Sequence, residues 1–293
     1  MKDKDYKVLI KGLEKDKEHL YDEIAGLETA LKNKKKKDTL IEGYFPLTEK
    51  GVHIKHGLVS DTHMGSVYNN LDFLNTLYDI FKKEKVEIVF HCGDLCDGDN
   101  MYRGHGYELY AHGADKQTKN VIDNYPKGFM NYFITGSHDL SFQKRAGVDI
   151  GEKIFDKRHD MEYIGPEEST IEIGNKEKKI KMMLMHPSKG TAYAISYHPQ
   201  KIAESFSGGN KPDVLYIGHF HKAEMLPCQR NIQIVQSGCL EHQTPFMARN
   251  FISAHQGGWI IDMYVNKDHL ISRFNGEFFA HYEKKATRKY IST

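Results

Sequence analysis

Asp61 and His63 stand two positions apart just after an apolar run. A carboxylate and an imidazole so placed beyond a strand end can turn toward one cation. Alone, the pair fits equally well a turn-capping aspartate beside a surface histidine. Four further segments share the arrangement, a short apolar run followed at once by metal-type or acid–base residues. Residues 86–90 lead into His91-Cys92-Gly93-Asp94, residues 132–135 into Gly136-Ser137-His138-Asp139, residues 182–185 into His186, and residues 214–217 into Gly218-His219-Phe220-His221. In α/β proteins functional residues gather in loops beyond the carboxyl ends of strands, so five such ends can converge on one crevice although they span about 160 residues.

Taken together, Asp61-x-His63, Gly93-Asp94, Gly136-x-His138-Asp139, His186 and Gly218-His219-x-His221 resemble, in order, the five signature blocks of the calcineurin-like metallophosphoesterases. The resemblance covers roughly residues 54 to 265. It implies an α/β fold, a two-sheet β-sandwich flanked by helices, with two metal ions at one edge. It also implies that Asp61, His63 and His221 bind the first ion and His186 and His219 the second, that Asp94 bridges them, and that His138 is the acid–base histidine. Asp139 is expected to orient the His138 imidazole. One block departs from the family. Where the pattern has Gly-Asn-His-Asp or Gly-Asn-His-Glu, this chain has Ser137, a shorter and poorer neutral donor than the asparagine that normally gives its amide oxygen to the second ion. A natural variant with water filling the gap and an engineered or attenuated site both accommodate that difference.

Two divalent ions about 3.5 to 4 Å apart polarise phosphoryl oxygens and balance charge during in-line displacement. Mixed imidazole and carboxylate ligands without thiolate suit manganese, iron or zinc, and the resemblance to the family's nuclease branch puts manganese first. The order and wording of the motifs look like the SbcD-like repair exonucleases and their bacteriophage relatives, which implies hydrolysis of a phosphodiester in DNA or RNA. Two alternatives stand beside it. One is a phosphodiesterase for cyclic or dinucleotide substrates, or a phosphomonoesterase. The other is a binding or assembly protein with a weakened site.

The elements that must position these residues can be read in part. Residues 54–60 form the first motif strand and 70–85 a helix, with Leu71, Leu74, Leu77, Tyr78 and Phe81 on one face. Strand, loop, helix, strand is the crossover of a parallel sheet segment. Asp97 reads as a turn former or an outer support of a ligand. The stretch 102–112 interleaves tyrosines with Arg103, His105 and His112. Tyr102, Arg103 and His105 are the candidate substrate contacts, with Arg103 suited to a phosphate. Burial of Tyr107 and Tyr110 as helix residues is the competing reading. Residues 146–158 read as one helix, 172–185 as two strands around Gly174-Asn175, 193–205 as a helix interrupted at Pro199, and 232–236 and 259–265 as strands. His53, His56, His198, His255 and His281 have no motif context.

A chain of 293 residues accommodates one catalytic domain, placed at 46–284, with an N-terminal segment 1–45 and a basic tail 285–293. In the N-terminal segment Ile10, Leu13, Leu20, Ile24, Leu27 and Leu31 recur at spacings of three and four, with Lys17 in the one polar seam position. That pattern suits a coiled-coil extension self-associating through residues 8–33, or a helix packed on its own domain. The lysines at 34–37 close the helix with charge its dipole favours, and serve as a solvated linker or a nucleic-acid contact. With 41 basic against 40 acidic side chains there is no global field of the kind nucleic-acid coat proteins carry, so a polyanion must be held locally. Four cysteines are too few for a disulfide scaffold, and Cys92 and Cys96 read as packing residues. The absence of a leader or of a ~20-residue apolar run points to a soluble protein of the cytoplasm.

Overall fold

A computed structural model of the chain describes residues 51–174, 179–188, 190 and 192–282, the strand Thr39–Ile41, and residues 17 and 20. The chain divides into two compact units, Met1–Lys37 and Asp38–Thr293. In the first, Lys17 and Leu20 are helical and exposed. The rest of the heptad stripe, the lysines at 34–37 and the tail 285–293 lie outside the described residues.

The second unit is built on two six-stranded sheets. In chain order its elements are β1 (Thr39–Ile41), β2 (Val52–Val59), α1 (Leu71–Lys83), β3 (Ile88–Cys92), α2 (Ala114–Asn124), β4 (Met130–Thr135), α3 (Leu140–Ala146), α4 (Ile150–Phe155), β5 (Met161–Pro166), β6 (Glu168–Gly174), β7 (Lys179–Met185), α5 (Tyr197–Ser205), β8 (Val214–Ile217), β9 (Ala223–Gln229), β10 (Ile232–Ser237), α6 (Pro245–Arg249), β11 (Gly257–Val265) and β12 (Ile271–Ala280). One sheet has the order β12-β11-β2-β3-β4-β5, the other β1-β6-β7-β8-β10-β9. The strands β2, β3, β4 and β5 run parallel in the first, and β7, β8 and β10 run parallel in the second. The expected two-sheet sandwich flanked by helices is therefore the fold.

Alternation decides which side chains meet. In β7 the buried residues Ile180, Met182 and Leu184 alternate with half-buried ones, so one face enters the inter-sheet core with Ile54, Leu58, Phe90 and Ile134 of the opposite sheet. The strand β3 is buried on both faces. Its Ile88 and Phe90 look into the sandwich, and Val89 packs outward with Leu74, Leu77 and Phe81 of α1. That helix starts where Asn70 caps it by accepting from the Phe73 amide. Its four buried side chains contribute about 1.5–3 kcal/mol each. The outer face of the second sheet packs Leu215, Ile217 and Ile234 with Ala203 of α5.

Several boundaries differ from the sequence reading. The single helix expected over 146–158 is two, because the chain turns left-handed at Gly147 and restarts where Asp149 caps α4. The helix expected from 193 begins at Tyr197, and Pro199 sits in its first turn, where no intrahelical amide is needed, so nothing is interrupted. Residues 39–41, assigned to the N-terminal segment, pair with β6. Among the described residues no helix is long and apolar enough to cross a membrane.

Candidate metal centre

All five motif loops leave the carboxyl ends of parallel strands, from β2, β3 and β4 in one sheet and β7 and β8 in the other. The first two loops are laced together by amide bonds from Asp61 to the Gly93 oxygen (3.0 Å), from His63 to the Asp94 oxygen (3.1 Å) and from Met64 to the Leu95 oxygen (2.7 Å). Asp61, His63, Asp94, His219 and His221 all have positive φ. For residues other than glycine that geometry costs on the order of 1–3 kcal/mol each, and it persists here because the loops are tied at both ends. Glycine accompanies the motifs for a steric reason. A Cβ at Gly136 would lie 2.3 Å from Asp94 Oδ1.

Among the described residues the side chains gather in two clusters of motif residues, Asp61 with His63 and His221, and Asp94 with His186 and His219, and a third group joins His63 and His138 to Asp97. In the first, His221 Nε2 lies 3.3 Å from Asp61 Oδ1 and 3.2 Å from His63 Nε2. In the second, His186 Nε2 lies 3.0 Å from Asp94 Oδ2. Hydrogen bonding fixes the tautomers. His63 Nδ1 donates to Asp97 Oδ1 at 2.9 Å, and His186 Nδ1 donates to the Cys92 oxygen at 2.7 Å. In the neutral ring each Nε2 is then the lone-pair atom. His63 Nε2 faces another ring nitrogen, and His186 Nε2, buried without a hydrogen-bond partner, faces a carboxylate oxygen. Acceptors meeting at this range repel unless a positive charge lies between them, and imidazole with carboxylate is the donor set divalent transition ions take. The residues fit a pair of such ions.

The electrostatics agree. Burial disfavours the His186 cation, but Asp94 beside it outweighs that and pushes its pKa up to about 9. His221 is likewise raised against burial, by Cys239 first and then by Asp61. Burial alone would raise Asp94, yet His186 and His138 hold it well below the usual carboxylate range. The centre draws positive charge wherever it can find it.

The His138 amide donates to Asp94 Oδ1 at 2.8 Å, and its ring meets His63 edge-on at 4.6 Å. Its Nδ1 donates to the Asp97 main-chain oxygen at 2.6 Å and lies 3.4 Å from Asp97 Oδ1. The residue orienting this imidazole is therefore Asp97 and not Asp139. Asp139 instead accepts from the amides of Leu95 (3.1 Å), Cys96 (2.8 Å) and Gly136 (2.9 Å), bracing the second motif loop against the third. Ser137 is half-buried, with its hydroxyl 3.5 Å from Asp94 Oδ2.

Of the candidate substrate contacts, Tyr102 lines a cavity of about 570 Å³ beside both clusters. It stacks on Phe246 at 4.6 Å and donates to Glu108 at 2.7 Å. His105 is not a surface contact. It is 1% exposed and donates to Asp97 Oδ2 at 3.2 Å, making Asp97 a hub for three histidines. Arg103 is exposed but does not line the cavity. Tyr107 is 94% exposed, which rules out its burial as a helix residue, and Tyr110 is exposed with its hydroxyl accepting from Asn120 at 2.7 Å. Sequence reasoning missed Glu241 and the wall from Thr244 to Ile252. The signal was partial, since β10 mixes Ile232, Ile234 and Val235 with glutamines before Gly238 and Glu241, and its direction comes only from the fold.

The sequence profile of the calcineurin-like phosphoesterase superfamily domain matches residues 54–249. The chain belongs to that superfamily. Within this metallophosphoesterase frame, curated relatives are distant. The chain is 24% identical over 229 residues to the DNA polymerase II small subunit of Halobacterium salinarum, a match covering 66% of this chain and 45% of that protein. It thus spans less than half the length of those relatives. Similar solved structures include Vacuolar Protein Sorting 29 from Cryptosporidium Parvum (12% identity, TM-score 0.39, 78% of this chain and 99% of that one). A 5'-nucleotidase precursor from Thermus thermophilus is another (10% identity, TM-score 0.42, 78% and 54%).

Proposed function

We propose that this metallophosphoesterase hydrolyses phosphodiester bonds in DNA or RNA with two divalent ions, manganese first among them. The observation that carries the reading is the pair of His/Asp clusters whose ring nitrogens and carboxylate oxygens converge at 3.0 to 3.3 Å on the wall of an open cavity. Asp61, His63 and His221 would hold one ion and His186 and His219 the other, with Asp94 shared by the two sites and Ser137 beside Asp94. Ions bound there would supply Lewis acidity toward the phosphoryl group and lower the pKa of water. The chain supplies the rest. Asp97 fixes Nδ1 of His138 as the donor, which leaves Nε2 to carry a proton to the departing oxygen. Tyr102 and Phe246, stacked on the cavity wall, offer a flat apolar surface for a base next to the scissile phosphate. The relatives named as a DNA polymerase subunit lend support to a nucleic-acid substrate. Assay of a single-stranded oligonucleotide beside cyclic nucleotides and p-nitrophenyl phosphate, all with manganese, tests this. Cleavage of the oligonucleotide is expected, and turnover confined to the small substrates counts against it.

A second reading, a binding protein with a weakened centre, is favoured by Ser137, whose hydroxyl reaches Asp94 only at 3.5 Å. Ser137→Asn raises second-ion affinity and turnover if the site is an active one, and leaves both unchanged if it only binds. Self-association through residues 8–33 belongs with either reading, and Leu20, a seam position, is 56% exposed on its helix.

A further inference from the structure

The strand β10 runs parallel to β8, so its carboxyl end opens on the same edge as the motif loops, and Glu241 follows that end closely. The loop is clamped to the first motif loop. The Leu240 amide donates to the Asp61 oxygen at 3.0 Å, and the Asn70 amide donates to the Leu240 oxygen at 2.8 Å. The Glu241 side chain is 3% exposed and lines the cavity. Its Oε1 accepts one long hydrogen bond, from Ser66 Oγ at 3.4 Å. Its Oε2 lies 3.8 Å from His63 Nε2 and 3.9 Å from His221 Nδ1, a buried nitrogen without a hydrogen-bond partner. A buried carboxylate so thinly supported is costly by itself and tolerable where a cation shares the space.

We propose that Glu241 is an additional carboxylate of the Asp61–His63–His221 cation site, whose charge strengthens that site's hold on a divalent ion. The inference rests on the metallophosphoesterase reading above. That cluster otherwise brings one carboxylate of its own, Asp61, with two imidazoles, and only a share of Asp94. A further full negative charge offsets more of a divalent ion's charge. No signature block contains Glu241, yet it meets both ligand histidines of the cluster.

The test is manganese titration by calorimetry of the full, chelator-treated chain, with thermal melts in the presence and absence of the ion. Wild type is expected to bind two ions. E241Q should bind one of them about 10- to 100-fold more weakly, the step that His221→Ala also loses, with the other unchanged. Its melting point without metal should equal or exceed that of wild type, because a buried charge is gone, so the gain on adding manganese shrinks. E241D should restore part of the affinity. Wild-type affinity at both steps in E241Q, with a lower melting point in the absence of metal, makes Glu241 a structural residue and overturns the proposal. If E241Q does not fold, E241M, which keeps the length of the side chain and drops its charge, decides, and undiminished affinity there overturns the proposal too. A wild-type chain that binds no manganese fails the underlying reading first, and this inference with it.

Discussion

Nδ1 of His138 lies 2.6 Å from the main-chain oxygen of Asp97, and the same aspartate's carboxylate accepts from Nδ1 of His63 at 2.9 Å. One residue thus fixes the proposed acid–base imidazole and a proposed metal-ligating one together. His138→Ala should leave ion binding intact and lower turnover by about 10²- to 10⁴-fold, most for substrates with poor leaving groups. Calorimetry and steady-state rates on two substrates of different leaving-group pKa check this. Equal losses on both substrates contradict it.

Asp97 and Asp139 should part company. Asp97→Ala removes the carboxylate that holds Nδ1 of His63 and leaves the main-chain acceptor of His138 in place, so ion affinity should fall about 10- to 100-fold, with turnover following the lost ion. Asp139→Ala leaves three amides without their acceptor and should cost about 1–3 kcal/mol for each that stays buried, read as a lower denaturation midpoint. If Asp139→Ala folded stably and lost only turnover, the assignment of Asp139 to the imidazole would be restored.

Asp94 contacts both the second cluster and the His138 amide. Asp94→Ala should abolish binding of both ions and nearly all activity. In the wild-type chain, free manganese at a hundred times the dissociation constant should add about 2.7 kcal/mol per ion to stability, an increment absent from the variant. Chemical denaturation with and without the ion measures it.

In the core between the sheets, His56 Nε2 meets the Tyr216 hydroxyl at 2.5 Å. Burial lowers the His56 pKa to about 3 from its ordinary value of 6.5. The unfolded chain therefore binds this proton first as pH falls. Stability from this group is complete above about pH 6.5 and declines below it by about 1.4 kcal/mol per pH unit, toward a limit near pH 3. Replacing both partners, His56→Phe with Tyr216→Phe, removes the slope without stranding either polar group. Stability from urea unfolding at about pH 7.5, 6 and 5 should fall faster in wild type than in the variant as pH drops.

The five motif blocks were legible because each closes a strand with residue types that chemistry restricts, and the parallel pairing of β2, β3, β4, β7 and β8 brings them to one edge. Helix α1 was legible from its apolar face. Helix α2 was not, since it buries Gln117 and Thr118 with Val121 as its only buried aliphatic residue. No residue of β9 or β12 is fully buried, so their patterns are diluted by polar residues. The switch from Asp139 to Asp97 was hidden because sequence adjacency favours the neighbour, whereas a tight turn sends the Asp139 carboxylate back onto amides. Glu241 depends on a strand whose direction only the fold supplies.

Removing residues 1–37 should lower the assembly state and leave turnover in place, because the second compact unit begins at Asp38. An unchanged sedimentation profile would reject self-association through that segment.

Anomalous diffraction from crystals soaked in manganese addresses the metal centre most directly. Two peaks are expected, one among Asp61, His63 and His221 and one among Asp94, His186 and His219. Full-occupancy density elsewhere, with neither cluster occupied, would contradict the account.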